Sequence, residues 1–388
     1  MTSSPETARQ YFLTPLGWAV YLACSWTWCI GMYLPVVLLD HYGWPAVLAF
    51  AIPNVAGVVL FAFGVGSVAR SRALIAGHKS AMLWFSLITI AFHVYFLGAV
   101  WGYEFPGFWR PAAMLVPLPI VALAWLARSW RDDLLVRIAG GVYLLSMGLV
   151  TLAGFLHSTS GAPLREAVWA SRAPSGVVFL VPVFIIGFLL CPYLDLTFHR
   201  ALIAVGGRGP GKTTFALFGV VFAFMLLCTV SYALFGFLWP VLVHILIQSW
   251  FTMTVHFKEI ETQRYAAAGQ AMGRWVRPTL ILSWVMAPLP LVDYRGWLIF
   301  TGLIFPAYIA LMMVRPRLGR PAAHQMVLAL VIVLLMPFSA IGFLRGGWEW
   351  LTLIPSVTLV LSLVAGSRVG DSSSPTREGF AVASAPAG

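Results

Sequence analysis

Long apolar runs follow one another from residue 12 to residue 366, and no stretch between them is long enough to form a soluble domain. A helix that crosses a bilayer needs roughly 20 mostly apolar residues. Twelve runs meet or approach that length: 12–40, 44–68, 81–103, 112–127, 134–156, 175–198, 213–236, 237–257, 276–292, 296–314, 323–344 and 347–366. The fourth and ninth are short, and the seventh and eighth meet at a Gly-containing turn. Only 10% of the 388 residues are charged, against about 25% in a soluble domain. The chain is 60% hydrophobic with a mean hydropathy of +0.89. It reads as an all-α, polytopic membrane protein with about 12 transmembrane helices.

The charges give the sidedness. With the N-terminus in the cytoplasm and twelve crossings, all but five of the 24 Lys and Arg residues fall on the cytoplasmic side. The five are Arg110, Arg165, Arg172, Arg295 and Arg345. The positive-inside rule expects this bias. The expectation is a multi-pass protein of the cytoplasmic membrane with both termini cytoplasmic. Residues 1–11 form a short cytoplasmic segment, 12–366 the transmembrane domain, and the Ser/Pro/Ala/Gly-rich 367–388 a disordered tail. The net charge of +11 is then topology plus attraction to anionic headgroups, and it calls for no nucleic acid. The first run is too long, and its start too weakly charged, for a cleavable signal peptide. Cys24, Cys29, Cys191 and Cys228 all lie inside apolar runs and read as small buried hydrophobes.

The stretch "GGRGPGKTT" (206–214) fits the phosphate-loop pattern letter for letter. That loop works only between a strand and a helix of an α/β unit. Here it lies between two apolar runs, so no nucleotide is expected at 206–213.

Polar residues inside the apolar runs are few and costly, so each is a pointer. They are Asn54, His93, Asp195 and, along the eighth run, His244, Gln248, Ser249, Thr252 and Thr254. Two runs carry helix breakers at matching depth. The first has Gly31 and Pro35; the sixth has Gly187 and Pro192. Proline removes an intrahelical hydrogen bond and glycine weakens the helix, so interruptions are expected near 27–31 and 187–192. A kink is the simpler alternative for either one. Four runs lie between them, so they cross in opposite directions. Inverted-repeat transporters have this arrangement. The expectation is a 5+5 inverted repeat (12–156 and 175–314) plus two extra C-terminal helices (323–366).

The first helix pair, "CSWTWCIGMYLPVVLLDHYGWPAVLAF", resembles that of the sodium/solute symporters, which have the LeuT-type fold of the amino acid-polyamine-organocation superfamily. Ser25, Trp26, Gly31, Tyr33, Leu34, Tyr42 and Gly43 stand in comparable places. The segment "QSWFTMTVHFKE" (248–259) looks like the Ser/Thr-rich end of that family's eighth core helix. Ser249 matches one hydroxyl of its sodium-holding pair; Gln248 is a departure at the other. Cys191-Pro192 keeps the proline of the sixth-helix break, with Arg200 further along than the family has it. The resemblance covers residues 12–260 as architecture.

What it implies is alternating access of a small organic solute, coupled to sodium or protons, without enzymatic activity. The solute would meet Trp26, Cys29, Gly31, Tyr33, His93, Gly187, Cys191, Pro192 and Tyr193. Backbone near 29–31 with Ser249 and Thr252 would ligate a cation, and Asp195 would carry a proton or hold a cationic group. The simpler alternatives are interhelical hydrogen bonds for Ser249 and Thr252, and pairing of Asp195 with His199 or Arg200. A different class stays open: a non-transporting sensor or assembly subunit, or a haem-binding redox protein using His93 and His244.

Overall fold

A computed structural model describes residues 5–160, 177–236, 239–263, 267–287, 298–313, 321–358 and 360. The 367–388 tail lies outside them. Every regular element among them is helical. Among the described residues eight helices are long and apolar enough to cross a membrane, and a bent pair at the start makes nine. The chain is thus a helical protein embedded in a membrane.

The first run is that bent pair: α1 (Pro5–Trp26) and α2 (Cys29–Tyr42), at 66° to each other. Gly43, at φ 74°, turns the chain into α3 (Trp44–Val65); only glycine takes that angle without strain. α4 (Val68–Glu104) follows and bends at His78. The fourth run holds α5 (Pro117–Ala127), and the fifth is α6 (Asp132–Thr159). The sixth is α7 (Val177–Leu190), a 3-10 turn at Cys191–Leu194 and α8 (Leu196–Ala204). Then come α9 (Arg208–Val230), α10 (Trp239–Thr262) and α11 (Ala267–Met286). The expected ninth run began at 276; residues 267–275 are instead the first turns of α11. The tenth run is the shorter α12 (Phe300–Leu311), which mixes α and π turns, and α13 (Pro321–Ser339) follows.

The contacts repeat at an interval of five crossings. The first crossing packs on the seventh (α1 on α9), and the sixth on the second (α7 on α3). The fourth packs on the eighth (α5 on α10), and the ninth on the third (α11 on α4). The first meets the eighth (α1, α10), and the sixth meets the third (α8, α4). Small residues allow the closest approaches. A methyl group on Gly57 of α3 would lie 2.0 Å from the Phe188 carbonyl oxygen of α7, so the two backbones touch.

The centre of the bundle is aromatic and fully buried: Phe61, Phe85, Phe198, Phe215, Phe218 and Phe251 are among its largest side chains. The two interrupted crossings run through this centre.

Candidate functional site

Side chains bonding back onto the helix end α1. The Ser25 hydroxyl donates to the Leu22 carbonyl at 3.0 Å, and Thr27 to that of Ala23 at 2.7 Å. Such bonds compete with the backbone ladder and favour a stop. Trp28 is extended (φ −69°, ψ 169°), and α2 restarts at Cys29. The first amides of a helix have no partner within it. The Cys29 N–H finds one in His93, donating to Nε2 at 3.2 Å. His93 Nδ1 in turn faces the Thr89 carbonyl at 2.8 Å, which fixes the proton on Nδ1. His93 is therefore a side-chain cap on the interrupted helix.

The second interruption lies at 191–195. Pro192 has no N–H to give the helix, and the turn tightens to 3-10. Asp195 is extended (ψ 110°) and caps α8, its Oδ1 accepting the Thr197 N–H at 2.8 Å. Its other oxygen, Oδ2, is buried and has no hydrogen-bond partner.

The two interruptions face each other. The Ser25 and Thr197 hydroxyl oxygens are 3.4 Å apart, and the Trp26 and Phe198 ring centroids 4.9 Å apart. Trp28 stacks obliquely on Trp26 at 4.2 Å and packs on Phe85 and His256 at 5.1 and 6.0 Å. Asn54, from the middle of α3, accepts the Trp26 indole N–H at 2.6 Å. Beside α1 stands α10. The Thr252 hydroxyl donates to the Cys24 carbonyl at 3.2 Å; the Ser249 hydroxyl, one turn before, is buried without a partner. Gln248 spends its amide nitrogen on the Ser146 hydroxyl at 2.9 Å, and its Oε1 is unpartnered.

Several expectations change. Gly31 and Pro35 do not break the first crossing; both lie inside α2, and the interruption precedes them at Thr27–Trp28. Gly187 lies inside α7, where a methyl group would fall 2.6 Å from the Thr301 carbonyl oxygen. Its smallness serves packing, and the second interruption begins four residues later. Tyr33 packs on Phe96 at 5.9 Å, away from the facing breaks. The Tyr193 ring packs on Phe61, and its hydroxyl covers Gly64. Asp195 pairs with neither His199 nor Arg200. His199 bridges the Ser71 hydroxyl (2.8 Å) and the Tyr193 carbonyl (2.9 Å). Arg200 reaches across to Glu259 of α10 and Asp132 of α6, and Lys258 joins Asp132 at 3.2 Å. Cys191 directs its thiol at the Thr301 carbonyl, 3.6 Å away. The structure thus gathers Trp26, Cys29, His93, Pro192, Asp195, Ser249 and Thr252 around or beside the two breaks.

Composition hid Phe85, Thr197, Phe198, His256 and the Arg200–Glu259 pair as members of this site, and marked Asn54 only as a buried polar residue. Asn54 had a signal, a lone amide in an apolar run; the aromatic residues had none among 27 phenylalanines and 17 tryptophans. His93 uses both ring nitrogens on protein groups, so neither is free for iron in this conformation. His244 packs edge-on against Tyr232 at 5.5 Å. Among the described residues no three His, Cys, Asp or Glu side chains cluster as metal ligands. Only residues 205–207 join α8 to α9; residues 208–213 are the first turns of α9, and the element before them is a helix, not a strand. The Lys212 ammonium lies over the Phe63 ring at 5.1 Å.

The arrangement defines a class, helical membrane proteins with two interrupted, facing crossings at a buried centre. Compared with known proteins, the chain matches no family model, no curated protein and no solved structure.

Proposed function

We propose that the chain is a secondary transporter of a small organic solute, working by alternating access with sodium or proton coupling. One observation carries this reading: the breaks at 27–28 and 191–195 meet at Ser25 and Thr197. Interrupted helices expose peptide groups that can hold a solute or ion in mid-membrane, where regular helices offer none. The five-crossing interval of the contacts supports an inverted 5+5 repeat, as the resemblance to sodium/solute symporters implies. By the charge bias, the Arg200 network then closes the cytoplasmic end and both termini are cytoplasmic.

The residues suit a sodium ion. The Thr252 hydroxyl meets the Cys24 carbonyl at the end of α1, and the unpartnered Ser249 hydroxyl is buried one turn away on the same helix as Thr252. Sodium would supply there the charge that couples solute movement to its gradient. Asp195 is a buried carboxylate at the breaks, and its unpartnered Oδ2 suits it to carry a proton or face a cationic solute. The test is flux of a labelled solute panel into liposomes holding the purified protein, under imposed sodium or pH gradients. Gradient-driven uptake of any panel member supports the reading. Flux equal to that of protein-free liposomes across the panel defeats it.

A further inference from the structure

A second site lies at the end of the molecule away from the Arg200 network. There α2 and α7, the half-helices that end at the two breaks, line one cleft of about 160 Å³. Leu34 and Leu38, one turn apart on α2, form one wall; Leu180 and Phe184, one turn apart on α7, form the other. Arg345 and Trp348 close the top. The Trp348 indole N–H donates to the Tyr42 hydroxyl at 2.5 Å, which ties this roof to the tip of α2. Leu34 is five residues from Cys29, so the cleft floor stands about 8 Å above the first break.

Arg345 has no ion pair or hydrogen bond among the described residues. It is also one of only five cations that the charge pattern puts on this side. Positive-inside topology disfavours a cation here. A guanidinium with no partner among the described residues, beside apolar walls, is complementary to an anion with an apolar tail, since guanidinium binds carboxylate through two parallel hydrogen bonds. The volume sets the size. At the ~10–15 Å³ of free space that one water needs, the cleft has room for about ten water-sized groups. A phospholipid with two long chains does not fit.

We propose that this cleft binds a small free carboxylate with a short apolar tail, its carboxylate on Arg345 and its tail between α2 and α7. The inference concerns equilibrium binding and holds whether or not the chain transports.

The test uses the full chain in phosphatidylcholine nanodiscs and reads the thermal unfolding midpoint against added pentanoate, with pentanamide as the neutral control. Pentanoate should raise the midpoint saturably and pentanamide should leave it in place. Arg345→Gln should weaken the pentanoate effect about tenfold or more, and Arg345→Lys should keep part of it. Leu38→Trp fills the cleft and should remove the effect with Arg345 intact. Four results overturn the proposal: no pentanoate shift in the wild type, an equal shift in Arg345→Gln, an equal shift with pentanamide, or loss of the shift in phosphatidylglycerol discs. The last would assign Arg345 to a lipid headgroup. A protein that shows the expected pattern yet moves no solute in liposomes loses the transport reading and keeps this one.

Discussion

Arg200 holds Glu259 with two guanidinium nitrogens, Nε on Oε1 and Nη2 on Oε2, the latter at 3.0 Å. The Glu259 side chain is only 4% exposed and that of Arg200 17%. Removing one partner strands a buried charge, which costs about 3–5 kcal/mol; replacing both with apolar groups is far milder. Arg200→Met should therefore lower the thermal midpoint sharply, and adding Glu259→Leu should restore much of it. A double variant no better than Arg200→Met alone would show that Glu259 is not its main partner.

Asp195→Asn separates charge from structure. An asparagine oxygen can still accept the Thr197 N–H, so α8 keeps its cap to within a few tenths of a kcal/mol. The variant should fold with an unchanged midpoint and lose uptake driven by a pH gradient. Uptake with wild-type pH dependence would remove Asp195 from the coupling step.

Ser249→Ala tests the cation site. A ligand at about 100 times its Kd stabilises a protein by about 2.7 kcal/mol. If the Ser249 hydroxyl ligates sodium, the variant should lose most of the sodium-dependent rise in midpoint while its stability in potassium is unchanged or higher, since an unmet buried hydroxyl is gone. An undiminished sodium response would place the ion elsewhere.

Gly57 and Gly140 make a matched pair of helix glycines. A methyl group on Gly57 strikes the α7 backbone, whereas one on Gly140 of α6 meets nothing within 4 Å. Gly57→Ala should destabilise by about 1–3 kcal/mol or prevent assembly. Gly140→Ala should be neutral or stabilising by up to about 1 kcal/mol. Denaturant titration of the two purified variants in one detergent checks the contrast.

The all-helical membrane architecture was legible because the bilayer writes it into composition: twenty-residue apolar runs cannot be hidden. The presence of two interrupted crossings was legible as well, and so was their rough position near 27–31 and 187–192, but not which residues make them. Gly31, Pro35 and Gly187 are the obvious breakers, yet all three lie within helix. The interruptions sit instead where polar side chains take over backbone groups: Ser25 and Thr27 on one side, Asp195 on the other. His93 stood out as a buried polar residue, but its bond to Cys29 links positions 64 apart, and nothing local announces it. For the same reason Asp195 looked ready to pair with Arg200 five residues on, while Arg200 turns to Glu259 on a distant helix.

The touching backbones of Gly57 and Phe188 constrain how such a bundle can move. With no side chain between them to flex, α3 and α7 must travel as one beam, and α1 against α9 forms its counterpart. If the bundle rocks as proposed, the unwound Thr27–Trp28 and Cys191–Asp195 are where the chain can give, beside the proposed place for a guest. Cargo lodged there would grip both pivots at once, and that is how its arrival could be felt by the whole machine.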